Sequence, residues 1–212
     1  KSSCFAAVTN SVPHAGEVFL KGQRVTRVAT HDLARLGLRR TFQQNAFFGD
    51  LTVLENTMGA LLAEHSTGLA ASIFAPWREL ANRRRAEAAA AGLLESFGIP
   101  PAYHQALPGD IPYGVQRLLS VVLAYGSGAD AVLLDEPAAG IGGGDMRQLA
   151  QLLVELRRRG TAIVVIEHHM DLIMSVADRI VVIDQGRLLA TGTPPEIQRD
   201  PAVREAYLGR SE

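Results

Sequence analysis

The chain has 212 residues, 47% of them hydrophobic and 20% charged, and Lys+Arg 21 against Asp+Glu 22 leaves a formal net charge of -1. This composition is globular and excludes a disordered tail, a collagen-like fibre and a simple coiled coil, while the charge balance leaves no basic footprint for nucleic acid or anionic lipid. With one Cys there is no internal disulfide, and there is no apolar run near the roughly 18 residues of a membrane span and no signal-peptide pattern, so the expectation is a soluble, cytosolic chain.

In chain order, Lys1-Ser2-Ser3 leads into an expected helix through Asn10. These three residues resemble the end of the phosphate-loop pattern G-x-x-x-x-G-K-[ST], whose lysine meets phosphates and whose hydroxyl holds Mg²⁺. The glycines of that pattern are not in this sequence, so a missing start is expected, and with it a fragment inactive by itself. Cys4 is expected to pack as a small apolar residue. Gly16-Glu-Val-Phe-Leu-Lys-Gly22 reads as a strand running into a turn. Apolar residues at helical spacing over Leu51 to His65, Arg83 to Phe97 and Tyr113 to Tyr125 predict a helical subdomain, at about 50–125, inserted between sheet strands. Gly68 to Pro76 reads as a loop, and Arg83-Arg-Arg85 as a solvated helix start rather than a nucleic-acid patch.

The second half carries three unalternating apolar runs, Ala131 to Glu136, Thr161 to His168 and Arg179 to Asp184. They suit parallel strands buried on both faces. Between the first two, Met146, Leu149, Leu153 and Leu156 share one helical face, Asp145 is the expected N-cap and Gly160 the stop. The order strand, helix, strand implies a right-handed crossover in an α/β fold, and Gln185-Gly186 predicts a closing antiparallel hairpin.

Asp135-Glu136 ends the first of these strands, and ligands of open α/β sheets bind beyond the carboxyl ends of strands. Two readings stand side by side. The pair is an acidic turn closed by Pro137, or one acid holds Mg²⁺ through water while the next deprotonates an attacking water. His168 ends the neighbouring run and either bonds a phosphate oxygen or pairs with a backbone carbonyl. His168 and His169 should point to opposite faces, and neither has a Cys or carboxylate at a recognised metal-ligand spacing, which argues against zinc.

Taken in order, these segments resemble the nucleotide-binding subunit of an ABC transporter, and within that family the branched-chain amino-acid uptake class. The resemblance covers nearly the whole chain as a single ABC-type domain, 1–212, incomplete at its start. Lys1-Ser2-Ser3 matches the end of Walker A, Arg40-Thr-Phe-Gln43 the Q-loop, and Ile111-Pro-Tyr-Gly-Val-Gln-Arg117 the signature. Val132-Leu-Leu-Asp-Glu-Pro137 matches Walker B, Ala138 to Gly142 the D-loop, and Ile166-Glu-His168 the switch-histidine segment. The closing Gly192-Thr-Pro, Asp200-Pro and Glu205-Ala-Tyr-Leu-Gly209 point to the branched-chain class.

The resemblance implies a P-loop NTPase-like, mostly parallel sheet with an inserted helical subdomain and a C-terminal antiparallel hairpin. It also implies ATP and Mg²⁺ as ligands, with Lys1, Ser2 and Ser3 at the phosphates and Ser2, Gln43 and Asp135 at the metal. Glu136 becomes the general base, His168 and Gln43 its catalytic neighbours, and Tyr113 and Gly114 contacts to the nucleotide of a second ATP-binding subunit. Transmembrane permease subunits become partners of a cytoplasmic protein lying peripherally on the inner face of the membrane, with no span of its own and no nucleic acid. The implied role is ATP hydrolysis energising import of branched-chain amino acids or a related small polar solute. Pro112 in place of the signature serine, and glycines at 142–144, leave a degenerate scaffold or regulatory subunit as the alternative. Of the adjacent Phe47 and Phe48, one is expected to be exposed or covered by another chain.

Overall fold

The computed structural model describes residues 2–41, 47–62 and 76–208; Lys1, Gln43 and all of the expected 68–76 loop except Pro76 lie outside them. Helix α1 (Ser2–Val8) ends where Asn10 takes a φ of 54°, and the Asn10 amide donates to the carbonyls of Val25 and Val28. Strands β1 (Phe19–Leu20) and β2 (Gln23–Arg24) form a small antiparallel hairpin. Its two turn residues, Lys21 and Gly22, both have positive φ, as a type I′ turn requires. Helix α2 (Thr30–Arg35) then leads to β3 (Leu38–Arg40).

Among the described residues, three α-helices lie between β3 and the next strand: α3 (Val53–Leu62), α4 (Pro76–Ser96) and α5 (Tyr113–Tyr125). Local side chains decide where α3 begins. The Thr52 hydroxyl accepts from the Glu55 amide, and the Glu55 carboxylate accepts from the Thr52 amide, a reciprocal capping box that starts the helix at Val53 rather than Leu51. The buried Asn56 amide closes the turn ahead of it, accepting from the Phe48 N–H and donating to the carbonyls of Phe48, Leu51 and Thr52.

Strand β4 (Ala131–Asp135), helix α6 (Gly143–Arg158) and strand β5 (Ala162–Ile166) form the expected crossover. Strands β3, β4 and β5 are hydrogen-bonded in that order, all parallel, with Leu38 opposite Ala131 and Ala131 opposite Ala162. Helix α7 (Met170–Val176), strands β6 (Ile180–Asp184) and β7 (Arg187–Gly192), and helices α8 (Pro194–Arg199) and α9 (Pro201–Leu208) follow. The β6–β7 hairpin turns at Gln185 and Gly186, both at positive φ, as the dipeptide predicts.

Helix α4 begins at Pro76, so Arg83 to Arg85 lie within it rather than at its start, and three other expectations also need correction. The N-cap of α6 is Gly142, without a side-chain cap bond, and Asp145 lies inside the first turn. There its carboxylate favours the positive end of the helix dipole rather than closing it. Only β4 is buried at every residue; β5 and β6 alternate, leaving Val164, Val181 and Ile183 exposed. The reason is topological: among the described residues β6 pairs only with β7, and an apolar groove of about 650 Å³ separates it from β5. Cys4 is exposed on the wall of that groove instead of packed away.

The main core joins the three helices to the sheet. Leu94, Leu118, Leu119, Val122, Val132, Leu134, Leu149 and Leu156 are fully buried in one cluster, so the helices and β4 share a single interior. Leu119→Ala should therefore cost about 3 kcal/mol through lost transfer energy and the cavity it leaves. The measurement is a urea titration, with a lower midpoint and unchanged slope expected.

Candidate functional site

The parallel register brings the carboxyl ends of β3, β4 and β5 to one edge. Asp135, the last residue of β4, is buried there, with a carboxylate fully hidden from solvent. Arg40 closes β3 on the same edge and donates from Nη2 to Asp135 Oδ2 at 2.9 Å. Thr41 extends the pairing by one residue: its amide donates to the Leu133 carbonyl at 2.9 Å, and its hydroxyl accepts from the Asp135 amide at 3.3 Å. The Arg40 guanidinium also lies 5.5 Å from the ring centroid of Phe5, which sets α1 beside this ion pair. Arg40 Nε is buried without a hydrogen-bond partner among the described residues.

Glu136 leaves the strand with a φ of 50°, unusual for a residue with a side chain. Its amide donates to the Ile166 carbonyl at 2.9 Å, which ties the turn to the end of β5. The Glu136 carboxylate is half-buried and makes no hydrogen bond or ion pair among the described residues, leaving it an available proton acceptor.

At the end of β5, Glu167, His168 and His169 lie in a loop rather than in the strand. The two imidazoles do not diverge to opposite faces as expected; their centroids are 4.3 Å apart with planes tilted by 34°. The strand period of two ends at Ile166, so it no longer governs them. Glu167 has a fully hidden carboxylate. Oε1 accepts from the Ala138 amide at 2.7 Å, and Oε2 from the amides of His168 at 2.9 Å and His169 at 3.1 Å. His169 Nδ1 adds a fourth contact to the carboxylate, a third at Oε2, at 2.9 Å. Burial alone raises the Glu167 pKa, but the bonds from the His169 ring and the three amides outweigh it and hold the group below the ordinary carboxylate range. A depressed carboxylate stabilises the fold above its unfolded pKa, and that contribution is lost as pH falls through the folded value.

The nearest ligand atoms of Glu167, His168 and His169 lie within 4.8 Å of one another, a proximity that sequence spacing did not reveal. Oε2 nevertheless sits among N–H donors, whose positive ends face any cation brought to it. The arrangement is that of an anchored carboxylate rather than a metal ligand.

The start of α5 meets the segment that follows β4. Gly114 is buried so closely against the Asp145 carboxylate that an added Cβ would collide with it. Tyr113 is largely exposed, its hydroxyl accepts from Arg117, and its ring lies over Gly140, where an added Cβ would reach Cε1 at 3.0 Å. Gly140 has a φ of 77°, so conformation and close approach both call for glycine.

The ABC transporter family model matches residues 1–139, and the branched-chain amino acid ATP-binding cassette transporter model matches residues 187–212. The high-affinity branched-chain amino acid transport ATP-binding protein LivG of Escherichia coli is 36% identical over 218 residues, covering 100% of this chain and 83% of LivG. The chain belongs to the ABC transporter ATP-binding family, in its branched-chain amino-acid class. The corresponding BraF protein of Pseudomonas aeruginosa is 34% identical over 213 residues, with the same shares covered. The fold agrees with solved cassettes. An ABC transporter cassette in its ADP conformation superposes with a TM-score of 0.79 at 23% identity, covering 99% of this chain and 84% of that one. A dimeric post-hydrolysis cassette bound to ADP and Pi gives 0.74 at 18%, covering 91% and 80%.

Of the residues expected in this cassette's site, the fold gathers Asp135, Glu136 and His168 at one sheet edge. Within their own chain Tyr113 lies over Gly140 and Gly114 against Asp145, while Lys1 and Gln43 lie outside the described residues. The sequence motifs include Arg40, Glu167 and Gly140 but assign none of them a role. Each left a trace: a cation two residues from Leu38 on the same strand face, an acid closing a second apolar run, and a glycine just beyond the acidic pair.

The donors suit a phosphate ligand with a hard cation. Asp135 supplies carboxylate oxygen, the preferred ligand of Mg²⁺, and the partnerless Nε of Arg40 is a buried donor suited to an anion. Arg40 also neutralises a carboxylate that water cannot reach. Arg40→Met should cost about 3 kcal/mol, because a buried charge loses its guanidinium. Combining it with Asp135→Asn should recover part of that loss, and a double-mutant cycle of chemical denaturation measures the coupling.

Proposed function

We propose that this chain is the ATP-binding and ATP-hydrolysing subunit that energises an ABC importer of branched-chain amino acids or a related small polar solute. The observation that carries the reading is the pairing of Asp135-Glu136 with the His168 segment at one edge of a parallel sheet, in a chain similar along its whole length to branched-chain amino acid transport ATP-binding proteins. A non-hydrolysing scaffold is not favoured, since the acid pair and the histidine are all present and gathered.

In this reading Asp135, with Ser2 and Gln43, would hold Mg²⁺, and the metal would neutralise charge on the phosphates. Lys1 and Ser3 bind phosphate oxygens. Glu136 takes a proton from the attacking water as that water's oxygen bonds to the γ-phosphorus and ADP departs. His168 bonds a γ-phosphate oxygen and holds the water in line. Tyr113 and Gly114 reach the nucleotide of a second ATP-binding subunit, so ATP joins the two subunits and hydrolysis releases them. Positioning and electrostatics supply most of the acceleration. No helix among the described residues is long and apolar enough to cross a membrane. Transmembrane permease subunits supply the pathway, and this subunit lies against them at the inner face.

Glu136→Gln keeps the shape and removes the proton acceptor. In the transporter assembled in liposomes, ATP hydrolysis and leucine uptake should both fall by about a hundredfold or more, while ATP binding persists. Unchanged turnover would show that another group is the base.

The permease contact has a candidate of its own. Phe47 packs against the main core, whereas Phe48 is 71% exposed, held outward by the Asn56 bonds to its backbone. Phe48→Ala should weaken co-purification with the permease by about 2 kcal/mol, the scale of an apolar interface anchor, at an unchanged melting temperature. Phe47→Ala should do the reverse.

A further inference from the structure

Turnover in this subunit requires the acid after β4 and the histidine after β5 to keep a fixed relation, yet each lies in an irregular segment. Glu136 holds a left-handed backbone, which a residue with a Cβ adopts only against steric strain. Such a conformation persists only where the surroundings over-determine it. Besides the local bond from the Ala139 amide to the Glu136 carbonyl, two bonds hold this turn from the end of β5: the Ile166 carbonyl accepts from the Glu136 amide, and Glu167 Oε1 accepts from the Ala138 amide. Oε2 of the same carboxylate binds the amides of His168 and His169 and the His169 ring.

We propose that Glu167 is a positioning residue whose single buried carboxylate sets the geometry of Glu136 and His168 together. It touches no reacting atom. One oxygen fixes the turn that aims the general base, and the other fixes the backbone that presents the switch histidine. A movement of either segment is thereby transmitted to the other through one rigid carboxylate. The inference rests on the ATPase reading given above.

Glutamine at this position cannot substitute. A carboxylate offers two acceptor oxygens, and both are used by N–H donors; an amide offers one acceptor and one NH₂ group, which must face either the Ala138 N–H or the two histidine N–H groups. Leaving a buried donor unmet while shape is retained loosens one segment and spares the other.

The test compares Glu167→Gln with the unmodified subunit in the assembled transporter, reading kcat and KM for Mg-ATP and amide hydrogen exchange. The expected result is a fall in kcat of about tenfold or more, as for reacting groups displaced by a fraction of an ångström. KM should stay within about twofold, and exchange should quicken at Ala138, His168 or His169 while β4 and α6 keep their protection. Should Glu167→Gln fail to fold, His169→Phe keeps a ring beside His168 and removes only the Nδ1 contact to Oε2, and should lower kcat by a smaller factor, again at unchanged KM. Unchanged kcat, or a uniform loss of protection through β4 and α6, overturns the proposal. So does stoichiometric ZnCl₂ binding that depends on Glu167, which would make the cluster a cation site. If the unmodified transporter hydrolyses no ATP, the ATPase reading fails, and the exchange data still decide whether Glu167 joins the two segments.

Discussion

Parallel pairing of β4 between β3 and β5 is the constraint on which the site depends. In a parallel ladder all strands run the same way, so their carboxyl ends and every side chain beyond them reach one edge. Arg40, the Asp135-Glu136 pair and the His168 segment are far apart in sequence, and the strand register brings them to one edge. The cost is that β4 is buried at every residue and ends in a carboxylate that water cannot reach. A hidden charge of that kind needs a partner of opposite sign, and the neighbouring strand supplies Arg40.

The edge is held by contacts between loops and strand ends more than by packing. Thr41 prolongs the β3–β4 ladder, the Ile166 carbonyl holds Glu136, and the Glu167 carboxylate holds both Ala138 and the histidine backbone. Beneath these bonds the helices between β3 and β4 share their interior with the sheet. The α5 start reaches the segment that follows β4, where Tyr113 lies over Gly140 and Gly114 against Asp145. A displacement of that helix is therefore felt at the turn that follows the acidic pair.

Much of this was legible in the chain itself. The apolar runs gave the three strands of the second half to within a residue or two, and Tyr113 to Tyr125 was read at its observed ends. The Gln185-Gly186 turn and the acids closing β4 were equally plain, because turn conformation and strand-end chemistry depend on adjacent residues. The start of α3 was misplaced by two residues, since apolar period does not report the capping box of Thr52 and Glu55. The exposure of β5 and β6 was missed because an apolar run reveals preference for burial, not what the fold sets beside it.

Local order, then, was determined by the sequence: which segments are helical or extended, where they turn, and which residue types could handle phosphate and water. Only the tertiary structure decided which of those residues act on one another. Arg40 and Asp135 are 95 positions apart and form an ion pair, and Glu167 reaches Ala138 across 29. A buried charge and an N–H donor find their partners through space, and the distance along the chain carries no record of that choice.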